Sequence, residues 1–215
     1  MIAAADFANL VRGFVWKSDE QIQSELAAHE RYYWTKYLIA LHAAPSSIVE
    51  IGVRCGYSAY SFLLANPNAM FVGYDVYTKE HGGSDLNSGF KQYAEGLLKG
   101  FAARIEVVDT QQPGFRVPCA DFYHVDGDHS FGGAFHDMES CLQAIRCRAR
   151  PASLILVDDF AFITDVRRAV LGFVKKYNLH LGFVPSFRGE ALLFCGQPPE
   201  WVETVRALVM RKEKP

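Results

Sequence analysis

The stretch LHLGFVPSFRGEALLFCG, residues 179–196, decides between two architectures. It holds two short apolar runs, LHLGFV (179–184) and ALLFCG (191–196), joined only by PSFRGE. Six residues leave no room for a crossover helix, so the two runs must pair antiparallel as a hairpin at a sheet edge. A six-stranded dinucleotide-binding fold would not end in this way.

Upstream of the hairpin, short apolar runs alternate with helical patterns. The strand candidates are 47–52, 70–75, 104–109, 121–126 and 153–158. Helical spacing is expected over 57–66, 86–100, 131–147 and 163–177, and again over 3–14 and 19–43 before the first strand. The first five strands are nearly all apolar, as expected when helices cover both faces of a parallel sheet. The pattern predicts an α/β fold with a doubly wound, mostly parallel seven-stranded sheet and a terminal antiparallel hairpin. Residues 1–44 are expected to form an N-terminal helical extension, and 45–215 the main domain.

Composition narrows the function. The net charge is −2 and basic residues cluster only in the terminal MRKEKP (210–215), so electrostatics give no support for a nucleic-acid partner. No apolar run approaches the length of a membrane span. The N-terminal MIAAADFANLVRGFVWK is interrupted by Arg12 and reads as an amphipathic helix, not a signal peptide. Cys55, Cys119, Cys141, Cys147 and Cys195 form no CxxC pair. An odd, scattered set is expected of a cytoplasmic protein in which most cysteines are small core residues.

Ligands of open α/β sheets bind beyond the carboxyl ends of the strands. Here Asp75, Asp109, Asp126 and Asp158 end four strands, and Glu50 stands near the end of the first. Each acid could simply cap a following helix. Five on one rim call for positive charge among them. The first loop, EIGVRCGYS (50–58), reads E-x-G-x-x-x-G and lacks the G-x-G-x-x-G that grips a pyrophosphate. Glu50 would repel a diphosphate but could pair with a cation, Gly52 and Gly56 allow close backbone approach, and Asp75 is placed for ribose hydroxyls. A ligand with a ribose and positive charge but no phosphate is S-adenosylmethionine.

Across residues 47–196 these features resemble the class I S-adenosylmethionine-dependent methyltransferases. The resemblance implies that Glu50, Gly52, Gly56, Tyr57 and Ser58 surround the methionine end of the cofactor. It further implies ribose contact by Asp75, and contacts near the adenine or the methionine by Val76, Asp109, Thr110 and Asp126. The pair VDGDH (125–129) and LVDDF (156–160) is similar to the metal-dependent small-molecule O-methyltransferases. That similarity implies a divalent cation, expected to be Mg²⁺, on Asp126, Asp158 and Asp159, the last standing where catechol-type enzymes carry Asn. The longer HVDGDHSFGGAFHDM (124–138) resembles bacterial methyltransferases of sugars and antibiotic scaffolds, which implies His129 as the catalytic base. The expected partners are a small hydroxylated substrate and further copies of the chain in a homo-oligomer.

Alternatives stay open at this level. Asp128, His129 and Ser130 could merely cap the helix from 131, and the enzyme could work without a metal on oxygen or nitrogen. A metallohydrolase could use Asp126, Asp128, His129, Asp158 and Asp159, but it leaves Asp75 and the glycine loop without a purpose. A binding module without catalysis is a further alternative. The aromatic stripe Tyr32, Tyr33, Trp34 and Tyr37 could be core, the interface of a homo-oligomer or a substrate lid. Phe187 and Arg188 are expected in the terminal hairpin loop, away from both metal strands, and His136 and His180 as ordinary helix and strand residues.

Overall fold

The computed structural model describes residues 2–17, 19–78, 89–148 and 153–211. The chain runs α1 (Ala4–Phe14), α2 (Glu20–Ser24), α3 (Leu26–Ala43), β1 (Ser47–Ile51), α4 (Tyr57–Ala65), β2 (Met70–Asp75), α5 (Phe90–Leu98) and β3 (Ala103–Val107). It continues through β4 (Phe122–Val125), α6 (Phe131–Arg148), β5 (Leu154–Val157), α7 (Thr164–Tyr177), β6 (His180–Val184), β7 (Glu190–Phe194) and α8 (Trp201–Arg211). The strands form one sheet in the order β3-β2-β1-β4-β5-β7-β6. The first five pair in parallel, and β7 enters antiparallel between β5 and β6. The class I methyltransferase architecture is therefore present.

Alternation along the strands builds two cores. Ile48, Phe71, Phe122, Leu154 and Leu192 face α1, α3, α4 and α8. Val49, Tyr123, Val125, Ile155 and Leu193 face α6 and α7. On the first face the same alternation places Glu50 beside His124, both within the sheet interior.

Helix α3 is buried from Tyr32 through Ala40, and this near-continuous burial explains its weak amphipathic pattern. Trp34 stacks on Tyr37 with ring centroids 5.2 Å apart, and Phe7 of α1 packs on both rings. These two members of the aromatic stripe are core. The expected helix over 19–43 divides at Glu25, whose φ of −125° leaves the helical region, and Ile22 of α2 turns inward.

Three further expectations needed correction. Helix α8 was missed, although Val202, Val205 and Val209 recur at helical spacing and are buried. Strand β3 is an edge with exposed Arg104 and Glu106, not an apolar strand covered on both sides; charge on an edge strand discourages further pairing. Only Cys55 and Cys141 are buried, so most of the cysteines are not core residues. The start of the expected helix at 86–88 and the end of the basic MRKEKP tail lie outside the described residues. Among the described residues, no helix is long and apolar enough to cross a membrane.

Candidate active site

A cavity of about 390 Å³ opens at the carboxyl ends of β1, β2, β4 and β5, within the usual size range for small-molecule sites. Gly52 and Ser58 line it, as do Tyr57, Asp75 and Val76. Asp109, Thr110, Asp126, His129 and Asp159 line it too. Gly56, Glu50 and Asp158 do not stand on its wall.

The glycine loop is shaped by protein contacts before any ligand arrives. Gly52 has φ +87°, and a Cβ there would sit 2.0 Å from the Asp126 carbonyl oxygen. Glycine thus lets β1 and β4 end side by side. Asp75 accepts the N–H groups of Val53 at 2.9 Å and Arg54 at 2.8 Å on Oδ2, and that of Tyr77 at 2.7 Å on Oδ1. A carboxylate oxygen has capacity for more than one donor, so Asp75 fixes the loop and keeps acceptor capacity on the cavity wall.

Sequence reasoning missed the clamp on this loop. Arg54 donates to Asp19 through Nη1 at 2.8 Å and Nη2 at 3.1 Å, a two-pronged ion pair. Tyr57 accepts the Trp16 N–H at 3.0 Å and donates its hydroxyl to Asp19. The N-terminal segment is thereby tied to the glycine loop. A buried acid outside the strand ends, Asp19, offered no spacing signal. On the other side, Asp137 accepts from Thr110 Oγ1 at 2.8 Å and Gln111 Nε2 at 2.9 Å, and His136 donates to the Thr110 carbonyl. His136 is more than an ordinary helix residue, since it helps hold the loop after β3.

Glu50 belongs to a buried chain below the pocket. Lys36 Nζ lies 2.9 Å from His124 Nε2, 3.3 Å from Asp158 Oδ2 and 3.4 Å from Glu190. An ammonium has three protons and here finds three acceptors. His124 Nε2 must therefore accept, so its proton sits on Nδ1 and is donated to Glu50 Oε1 at 2.7 Å. Burial, and next the Lys36 charge, keep His124 neutral, well below its ordinary range. Burial and then Asp126 raise the Glu50 carboxyl, with Lys36 opposing. Burial would also raise Asp158, but Lys36 and the Tyr32 hydroxyl more than reverse this and hold it ionised.

At the pocket floor, His129 Nε2 stands 3.2 Å from Asp126 Oδ1 and 3.5 Å from Asp159 Oδ2. The Asp126 hydrogen bond outweighs burial and raises His129 to about 9. Burial and the adjacent Asp158 push the Asp126 carboxyl up to about 7. The capping alternative holds for its neighbours: Asp128 accepts the Ser130 N–H and hydroxyl, and Ser130 Oγ accepts the Gly133 N–H. Asp159 has φ +56°, an uncommon conformation for a non-glycine residue that aspartate tolerates.

The expectation that Arg188 lies away from the metal strands is overturned. Its Nη1 reaches Asp159 at 3.2 and 3.3 Å. The cause is topology: β7 pairs with β5, Val157 opposite Ala191, so the hairpin loop returns over the end of β5. Phe160 and Ala161 then donate to the Gly189 and Arg188 carbonyls.

The metal donors can be tested by their spare capacity. The ligand atoms of Asp126, His129 and Asp159 lie within 4.8 Å of one another, as do those of His124, Asp126 and Asp158. In the second set both His124 nitrogens are engaged, Asp158 Oδ2 accepts from Tyr32 and Lys36, and Asp158 Oδ1 accepts the Asp159 N–H. In the first set Asp126 Oδ1 is engaged by His129, and both Asp159 oxygens are within reach of Arg188; a carboxylate oxygen has capacity for more than one partner, and two carboxylates on the cavity wall are donors of the kind a hard divalent cation takes.

A family model described as a methyltransferase domain matches residues 49–160. The chain belongs to this methyltransferase family, and the metallohydrolase alternative falls. Its fold is that of the class I S-adenosylmethionine-dependent methyltransferases. No curated protein sequence matches the chain. Among solved structures, SAH-bound methyltransferase PaMTH1 of Podospora anserina is 15% identical, with 92% of this chain and 89% of that chain covered and a TM-score of 0.59. The O-methyltransferase TomG of Streptomyces achromogenes, involved in tomaymycin synthesis and solved with SAM, is 17% identical, with 90% and 99% covered and a TM-score of 0.52. The O-methyltransferase NcsB1 of neocarzinostatin biosynthesis, solved with SAM and 2-hydroxy-5-methyl naphthoic acid, is 13% identical, with 72% and 50% covered and a TM-score of 0.51.

Proposed function

We propose that this protein transfers the methyl group of S-adenosylmethionine to a hydroxyl oxygen of a small metabolite, with a divalent cation, Mg²⁺ by preference, held by Asp126 and Asp159. The observation carrying this reading is that one cavity joins the glycine loop, Asp75 and the Asp126–His129–Asp159 cluster. The cofactor and substrate bound by TomG and NcsB1 support it by analogy of fold.

When bound, S-adenosylmethionine supplies an electrophilic methyl group and the cation acidifies the acceptor hydroxyl. The chain's own residues do the rest. Asp75 and the Gly52–Ser58 loop orient the methyl donor. A cation on Asp126 and Asp159 would offset the carboxylate charge that raises His129, so that the neutral imidazole would take the hydroxyl proton on Nε2 and pass it to solvent, with Asp126 steadying the imidazolium that forms. Asp158 acts from behind the cluster: its Oδ1 fixes the Asp159 N–H and so holds the unusual backbone of Asp159. Helices α2 and α3 cap the cavity through Ile22, Tyr32 and Tyr33.

A second reading, methyl transfer without a metal, is favoured by Lys36 and Arg188, which already supply positive charge to Asp158 and Asp159. Activity measured with excess EDTA and with added Mg²⁺ separates the two. Calorimetry with S-adenosylmethionine tests both, since Asp75→Ala should weaken binding by about tenfold or more. No binding by the wild-type protein would end the methyltransferase reading.

A further inference from the structure

Arg54, in the middle of the glycine loop, is held from three directions. Its N–H goes to Asp75 Oδ2 at 2.8 Å, its carbonyl accepts the Tyr77 hydroxyl at 3.0 Å, and its guanidinium grips Asp19. The residue has φ +48°, a left-handed conformation uncommon for a side chain other than glycine. Backbone of this kind persists where its surroundings over-determine it. Asp75 and Tyr77 supply two of the holds from the end of β2 and just beyond it. The third comes from Asp19, 35 positions earlier in the chain and outside the sheet. Arg54 lines the cavity, and Asp19 does not.

Asp19 depends on Arg54 in return. Its carboxylate is 2% exposed, and it caps α2 by accepting the Ile22 N–H on Oδ1 at 3.4 Å. Helix α2 has five residues, too few to stay helical without tertiary support. The Arg54 guanidinium is the cation paired with this acid. A buried charge that loses its partner is strongly destabilising, so the contact that shapes the loop also docks α2. That helix presents Ile22 to the cavity. One ion pair thus joins the floor of the cavity to part of its cap.

We propose that Asp19 is a positioning residue: acting through Arg54, it holds the glycine loop in the shape that receives the cofactor, so that cofactor affinity and the docking of α2 rise and fall together. The proposal rests on the methyl-transfer reading, in which this loop receives S-adenosylmethionine. Asp19 itself touches neither cofactor nor acceptor. Coupling between two binding events is reciprocal, so a cofactor that tightens the loop must also tighten α2.

The test is calorimetry with S-adenosylhomocysteine on the full-length chain, paired with hydrogen exchange of the α2 amides. Asp19→Asn keeps the size of the side chain and removes its charge. It should weaken S-adenosylhomocysteine by about tenfold or more, although the residue stands off the cavity wall. Arg54→Lys keeps the charge without the two-pronged fork and should weaken binding less than Arg54→Met. In the Arg54→Met background, Asp19→Asn should have no further effect, because the path runs through Arg54. S-adenosylhomocysteine should slow α2 exchange in the wild type, and this protection should vanish in Asp19→Asn. Wild-type affinity in Asp19→Asn, with only its thermal midpoint lowered, overturns the proposal and makes the pair a structural contact. Fully additive losses in the double variant overturn it too, as does α2 exchange in the wild type that ignores the ligand. A wild type that binds no S-adenosylhomocysteine overturns the methyl-transfer reading and the proposal together, whereas equal binding by wild type and Asp19→Asn overturns the proposal alone.

Discussion

Lys36 Nζ lies 3.3 Å from Asp158 Oδ2, and both side chains are sealed from solvent. This one contact couples the N-terminal helices to the acid cluster of the sheet. The same ammonium serves His124 and Glu190, so its removal strands several groups at once. Lys36→Met should cost about 3–5 kcal/mol, as expected when one partner of a buried ion pair is lost. Urea unfolding measures it. Adding Glu190→Gln to Lys36→Met should recover part of the loss, because the two sites interact directly. Strictly additive effects would mean that the pair is not coupled.

Gly52 is predicted to be intolerant of any side chain. Its positive φ alone makes alanine cost about 1–3 kcal/mol, and the overlap with the Asp126 carbonyl adds to this. Gly52→Ala should therefore weaken S-adenosylmethionine binding and also disturb Asp126. A variant that keeps wild-type cofactor affinity would show that the loop can relax away from β4.

His129 bears the proton-transfer proposal. His129→Ala should lower kcat by roughly 10²–10⁴ with S-adenosylmethionine affinity preserved, and His129→Gln should be nearly as slow because an amide cannot take the proton. Steady-state kinetics paired with calorimetry decide this. Near wild-type kcat in either variant would reduce His129 to a helix-entry residue.

Asp137 gives a prediction on pH and stability. Burial raises its carboxyl to about 7, against the hydrogen bonds from Thr110 and Gln111, and Oδ2 has no partner. In the unfolded chain the value is about 3.9. The folded state therefore holds the proton more tightly, so the contribution to stability is complete below about pH 4 and is lost as pH rises through about 7. Asp137→Asn should flatten this part of the profile and be more stable than the wild type at pH 8. Urea midpoints measured between pH 4 and 8 that fall equally in both proteins would assign the slope to other groups.

The period of the sequence determined the sheet. Apolar runs of strand length, spaced by helices and closed by the helix-free PSFRGE link, admit few other folds. The candidate residues at strand ends were legible for the same reason, because strand direction alone sends Asp75, Asp126 and Asp159 to one rim. Helix α8 was legible too, in the spacing of Val202, Val205 and Val209, but lay beyond the hairpin where the reading stopped.

Only the tertiary structure decided how those acids are used. Whether Asp158 faces the cavity or Lys36 depends on where α3 lies across the sheet, 122 positions away in sequence. The place of Arg188 depends on β7 entering between β5 and β6, and no local pattern encodes which neighbour an antiparallel strand will choose. Local periodicity fixes which face a side chain takes, whereas hydrogen-bond partners and desolvation are set by elements distant in the chain, and those decide its charge and its chemistry.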